Sequence, residues 1–248
     1  MSKLSLRHGE YTLCGQQLDH VDEERDLGVL VDSELTFEAH IEAKISKANS
    51  FLGLIRRNFS YLDKSMLLCL YKAFVRPHLE YAQSVWAPRR QGLIDKLENV
   101  QIRALNLIPE LKGLSYEEQL RSCNLPTLAY RRFRGDLIEV YKHFTTYDKD
   151  AISESFCINV RHPNKIRQGH SLSTLYSRTF YHRIQELWNN LPENCRNLDN
   201  TMNSFKNNLD NHWKRVNLPL IYNHRAGLPT RINLDELPYN SLQRHSDG

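Results

Sequence analysis

Ile41, Ile45, Ala48, Leu52, Ile55 and Phe59 recur at steps of 4, 3, 4, 3 and 4 residues. That is the spacing of one face of an α-helix. A helix hides a stripe rather than a flat face, so a chain built on this pattern must pack helix against helix. Thr36, just ahead of the pattern, is the expected N-cap. The next stretch, LYKAFVRPHLEYAQSVWAP at Leu70–Pro88, extends the argument and complicates it. With Tyr71 as origin, Leu67, Phe74, Val75, Ala82 and Val85 fall on one stripe, and the phase runs through Pro77. Proline lacks an amide donor and clashes with the preceding turn, at a cost of roughly 3 kcal/mol inside a helix. A bend at Pro77 between two pieces that share a buried stripe is the expectation.

Further helices are expected along the chain. Asp63 caps the proline-containing helix. Gly92 leads into another, with Ile94, Leu97, Gln101, Ala104 and Ile108 on one side. Ser115 and Glu118 form a capping-box pair, and Pro126 opens the segment YRRFRGDLIEVYKHF. Residues 1–35 read instead as a β-ribbon, with runs at Leu4–Arg7, Tyr11–Cys14 and Leu27–Asp32. The breaks between them are His8-Gly9, Gly15-Gln16 and the acidic turn DEER at 22–25. Periodicity lapses over 148–173, where one short strand at Phe156–Val160 is expected, and returns at 179–192 and 201–213. The fold class is therefore mainly α: an amphipathic helical bundle over 36–147 behind a small N-terminal β-ribbon. A helical extension over 148–213 follows, and 214–248, rich in Asn and Pro, is expected to be poorly ordered.

The 248 residues suffice for one sizeable core, or a core with a smaller unit. The longest apolar run, Met66–Tyr71, is far short of the roughly 20 residues that span a bilayer, and the first residues hold no signal-peptide pattern. A soluble intracellular protein, cytoplasmic or nuclear, with no membrane partner is expected. The five cysteines, at 14, 69, 123, 157 and 195, include no C-x-x-C pair, so they are read as reduced thiols, mostly small core residues. No glycine-rich phosphate loop, G-x-S-x-G or H-E-x-x-H is present. His162 and His170 bracket a loop without a third ligand at a suitable spacing, and His78 is read as a hydrogen-bonded core histidine.

Charge is unevenly spread. The net charge of +4 divides into −5 over residues 1–35, +6 over 36–146 and +3 over 147–248. A mildly basic middle is compatible with nucleic acid. Its cations form small sets: Lys44 with Lys47, Arg56 with Arg57, Lys72 with Arg76, Arg89 with Arg90, and Arg131, Arg132 and Arg134. The bland alternative is a solvated helix face, in which an i,i+4 pair such as Arg76 and Glu80 contributes only about 0.3–0.5 kcal/mol.

The ordered blocks DLGVLVDSELTFEAHIEAKISKAN, LYKAFVRPHLEYAQSVWAP, LENVQIRAL, LSYEEQL, LPTLAYRRFRGDLIEVYK, GHSL and WNNLP…SFKNNLD resemble the carboxyl-terminal part of non-LTR (LINE-type) retrotransposon reverse transcriptases. The resemblance runs colinearly from about Leu4 to Trp213. It implies that Asp26–Asp32, with Leu27, Gly28 and Val29, corresponds to the primer grip. The helices that follow correspond to the thumb, which holds the template–primer duplex through phosphate contacts that read no base. The family shares the R-P-x-L-E-Y sequence around Pro77. Its catalytic centre uses paired acidic residues and magnesium, in a Tyr/Phe-Ala-Asp-Asp block that has no counterpart here: the chain contains no adjacent Asp-Asp.

The expectation is thus a non-catalytic fragment of an RNA-directed DNA polymerase, with no cofactor of its own. It would bind RNA–DNA or DNA duplex, indifferent to sequence, through Lys44, Lys47, Arg56, Arg57, Arg131, Arg132 and Arg134. The alternatives are a functionless transposon relic and a co-opted helical module. The latter would bind a protein through apolar surface near Leu27–Val31 and the first helices.

Overall fold

The computed structural model describes residues 11–146, 158–159, 162–166, 175 and 179–226. The expected strand at Leu4–Arg7, Cys157, His170 and the tail beyond residue 226 lie outside them. The described chain is mostly helical behind small antiparallel strand pairs, as the patterning requires.

Two hairpins open it. β1 (Thr12–Leu13) pairs with β2 (Gln16–Gln17), and β3 (Glu23–Asp26) with β4 (Val29–Asp32). The acidic stretch read as a turn is therefore largely strand. The turn is Leu27-Gly28, where φ is 44° and 82°. Two left-handed residues in a two-residue loop match the right-handed twist of the strands, and that geometry outweighs the turn-like composition of Glu23–Asp26.

α1 (Glu38–Asn58) buries Ile41, Ile45, Ala48, Leu52 and Ile55, as spaced. Its cap is not Thr36. The Asp32 carboxylate accepts from the amides of Glu34, Thr36 and Phe37 and from the Thr36 hydroxyl, so the end of β4 caps the helix from outside. These bonds hold the Asp32 pKa below its usual value, although burial opposes them.

Pro77 is accommodated by an inserted residue. α2 (Lys64–Leu70) runs into a π-helical turn, Tyr71–Val75, in which the Arg76 amide donates to the Tyr71 carbonyl. α3 (Arg76–Glu80) then carries Pro77 in its first turn, where no amide donor is needed. The core positions explain the insertion. Leu67, Tyr71, Val75 and Leu79 are all buried and four residues apart. Each such step overshoots an α-helical turn by about 40°, so three steps would carry the stripe about 120° off the core. One extra residue takes back about 100°. The stripe drawn at constant phase is corrected accordingly: Phe74 and Val85 are exposed. Ala82 is left-handed, breaking the chain before α4 (Gln83–Trp86), whose Trp86 is buried instead.

α5 (Gln91–Leu105) buries Leu97, Gln101 and Ala104 as expected. α6 (Tyr116–Cys123) has its complete capping box, Asp63 caps α2, and α7 (Leu128–Thr145) is capped by Thr127 rather than opened by Pro126. These elements enclose a first core from Val29 to Leu128. A second core, from Tyr130 to Leu220, is built by α7, by Ile166 of β6 (His162–Ile166, paired antiparallel with β5, Ile158–Asn159), by α8 (Phe180–Asn189) and by α9 (Met202–Arg215). α7 starts in the first core with Leu128 and packs the rest of its apolar face into the second, with Tyr141 stacked on Phe205 at 4.2 Å. The tail is ordered further than its composition suggested. Leu218 and Leu220 are buried, and the Thr127 hydroxyl donates to the Leu220 carbonyl at 2.6 Å. Of the four described cysteines, Cys123 and Cys195 are buried while Cys14 and Cys69 are exposed.

Candidate nucleic-acid interface

The tip of the β3–β4 hairpin is fastened to the bundle. The Tyr81 hydroxyl donates to the Leu27 carbonyl at 2.8 Å, and Tyr81 closes over Gly28, where an added Cβ would lie 3.8 Å from its ring. Leu27 itself is 84% exposed, whereas Val29 is buried in the first core. Within the Leu27, Gly28 and Val29 triplet, only the first two residues offer surface. The anchor on the other strand is His40, whose Nδ1 accepts from the Leu30 amide at 3.1 Å.

Beside this tip, one flank of α1 carries Lys44 and Lys47. The Lys44 ammonium lies 5.6 Å from the Tyr81 ring centre and that of Lys47 5.4 Å from Phe51. Phe51 in turn stacks on His78 at 5.0 Å and on Phe74 at 6.4 Å. The result is a surface ladder of rings edged by two ammonium groups. Burial, and then Lys44 and Lys47, push the His78 pKa below the usual imidazole value, a sign of the positive field on this face.

The opposite flank of α1 is electrostatically closed. Glu38 pairs with Arg90, Glu42 with Lys96, and Asn49 accepts from Arg103 at 3.2 Å, all across to α5. Arg56 follows Glu42 and Asn49 at heptad spacing on that flank, while Arg57 projects from the solvent side. Both arginines are exposed. They lie about 14 Å along the helix from Lys47 at 1.5 Å per residue, or about four steps of a duplex strand at 3.4 Å each.

Arg131, Arg132 and Arg134 are placed differently: two are paired with carboxylates and one is buried. Arg131 grips Glu80 through two nitrogens, one at 3.0 Å. Arg134 grips Asp210 through two bonds of 2.7 and 2.8 Å, and Arg132 is 5% exposed. The reason is the position of α7 between both cores, which leaves little of its circumference for solvent. Arg131 and Arg134 tie α7 to α3 and α9. The sequence did not show that half-buried Phe51 and His78 and exposed Phe74 and Tyr81 share this face. The π-turn that rotates Phe74 outward leaves no mark in a constant-period reading. Phe51, four residues beyond Lys47, was the legible clue. Among the described residues no group of three or more histidine, cysteine or acidic side chains is gathered to hold a metal ion. No helix among them is long and apolar enough to cross a membrane.

Over 104 residues, 39% of its length, the chain is 33% identical to the RNA-directed DNA polymerase from mobile element jockey of Drosophila funebris, 11% of which is covered. Over 110 residues, 43% of its length, it is 28% identical to an uncharacterised protein of Caenorhabditis elegans, covering 56% of that protein. The chain thus spans about half of one relative and about a tenth of the other. No family model and no solved structure matches it.

Proposed function

We propose that this chain is a thumb-like, duplex-grasping part of a LINE-type reverse transcriptase and that, alone, it does not polymerise. The observation that carries the reading is the coupling of the Leu27-Gly28 hairpin tip, through Tyr81, to a helix face bearing Lys44 and Lys47. A grip on a primer end and a grip on the duplex behind it would then be one rigid unit. The partial likeness to the jockey polymerase supports the family assignment. The absence of adjacent aspartates from the sequence supports the non-catalytic reading. No step through magnesium follows from these residues, and its site belongs to the palm of the implied parent.

On this reading Lys44, Lys47 and Arg57 contact phosphates on one side of α1, with Arg56 at the margin. Such contacts position a duplex without reading its sequence. The test is fluorescence anisotropy with RNA–DNA and DNA duplexes of unrelated sequence. Near-equal binding to all of them is expected, and Lys44→Gln with Lys47→Gln should weaken it at least about tenfold near 100 mM salt. Undiminished binding by the double variant would refute the assignment. A chain that ignores duplex but self-associates through Leu27, Phe74 and Tyr81 would favour a protein-interaction module.

A further inference from the structure

Phosphate contacts at Lys44 and Lys47 would leave the rings beside them without a role. Phe74 is 50% exposed and Tyr81 53% exposed. Phe51 and His78 are half-buried. The planes of Phe74 and His78 lie within 16° and 20° of the Phe51 ring, with centres 6.4 and 5.0 Å from it. Isolated apolar residues on a surface are ordinary. Here the π-turn keeps Tyr71 and Val75 in the core and leaves Phe74 outside, beside two rings of nearly its own orientation. The cations of this face are also uncommitted. Neither Lys44 nor Lys47 forms an ion pair among the described residues, and the pairs of α1 lie on its opposite flank, at Glu38 and Glu42.

Rings and ammonium groups together narrow the ligand. An exposed aromatic face attracts another flat ring, and stacking of one base on it contributes on the order of five- to a hundredfold in affinity. In an intact duplex the bases are stacked on one another and present only their edges in the grooves, so Phe74 would find no partner there. An acidic peptide would answer the lysines but not the rings, and an apolar protein surface the rings but not the lysines. A strand with unpaired bases answers both.

We propose that this face takes an unpaired nucleic-acid strand, whose bases stack on Phe74 while its phosphates meet Lys44 and Lys47. The proposal rests on the reading of these lysines as phosphate contacts and adds the substrate class: a strand with free bases, alone or running out of a duplex that Arg57 holds farther along α1. Every base has a π-face, so recognition stays indifferent to sequence. Stacking releases no counterions, so the contribution of the bases persists in salt that weakens the phosphate contacts.

The experiment is fluorescence anisotropy of the full chain with single-stranded oligo(dT) and with an abasic deoxyribose-phosphate strand of the same length and charge. The wild type is expected to bind the base-bearing strand at least about fivefold more tightly. That ratio should hold between 50 and 200 mM salt, although both affinities fall. Phe74→Leu keeps an apolar, helix-compatible side chain at an exposed position, and it should bring the ratio close to one. Lys44→Gln with Lys47→Gln should weaken both strands alike and leave the ratio standing. Equal binding of the two strands by the wild type, or an undiminished ratio in Phe74→Leu, would overturn the proposal and leave the phosphate contacts intact. Self-association that Phe74→Leu abolishes, without any preference for bases, would overturn it in favour of a second copy of the chain.

Discussion

His40 makes the anchoring of the hairpin depend on pH. Its Nδ1 accepts from the Leu30 amide, so the ring is neutral with its proton on Nε2, and Trp86 lies 5.6 Å away. Burial, with Lys44 on its own helix and Arg25 on β3, pushes its pKa from 6.5 down to about 4. The unfolded chain therefore takes up this proton first. The stability contributed is complete above pH 6.5 and drains away as pH falls toward 4. At about 1.36 kcal/mol per pKa unit, the loss relative to pH 8 is about 2 kcal/mol at pH 5 and about 3 kcal/mol at pH 4. His78 and His212, whose pKa values are also lowered by burial first and by neighbouring cations, act in the same direction. The lowered carboxylates Asp32, Asp63, Asp95 and Glu118 act mostly below about pH 4.5. Urea unfolding from pH 8 to pH 4.5 should be compared with His40→Asn, whose amide oxygen replaces the Nδ1 acceptor but does not titrate. The variant should start less stable and lose about 2 kcal/mol less than the wild type by pH 5. Parallel pH profiles for the two proteins would refute the reasoning.

Three further outcomes follow from the same contacts. Arg134→Met removes one partner of a partly buried, two-bonded ion pair and leaves Asp210 unmatched, so chemical denaturation should register a loss of about 1–3 kcal/mol. Tyr81→Phe deletes an exposed bond to the Leu27 carbonyl, costing no more than about 1 kcal/mol globally, yet hydrogen exchange at the hairpin tip should accelerate. Duplex binding should neutralise the field of Lys44 and Lys47 and raise the His78 pKa, so NMR titration should show it moving upward and affinity should grow as pH falls through it.

Much of this architecture was legible because helices announce themselves by period and cap. The stripe on α1, the Asp63 cap and the Ser115–Glu118 box each rest on a local rule that tertiary contacts reinforce. What failed had non-local causes. Asp32 replaces Thr36 as the cap because the hairpin folds back onto the helix start. Glu23–Asp26 forms a strand because Leu27-Gly28 supplies the turn. A constant period cannot register the inserted residue at Tyr71–Val75, so Phe74 was placed inside. The arginines of α7 looked like a basic patch because a sequence does not show Glu80 and Asp210 arriving from elements far along the chain. Lys44 and Lys47 were identified as candidates, but the rings that surround them come from two separate stretches, α1 itself and residues 74–81.

The claim that lysines and arginines of α1 hold a duplex by its phosphates is tested most directly by the salt dependence of binding. With Lys44, Lys47 and Arg57 each engaging one phosphate, log K should fall with log[salt] at a slope of about −2.7. In Lys44→Gln with Lys47→Gln the slope should shrink by about 1.8. Affinity that stays level between 50 and 200 mM salt (on the order of a fortyfold loss is expected), or a slope the double variant leaves unchanged, would contradict the account.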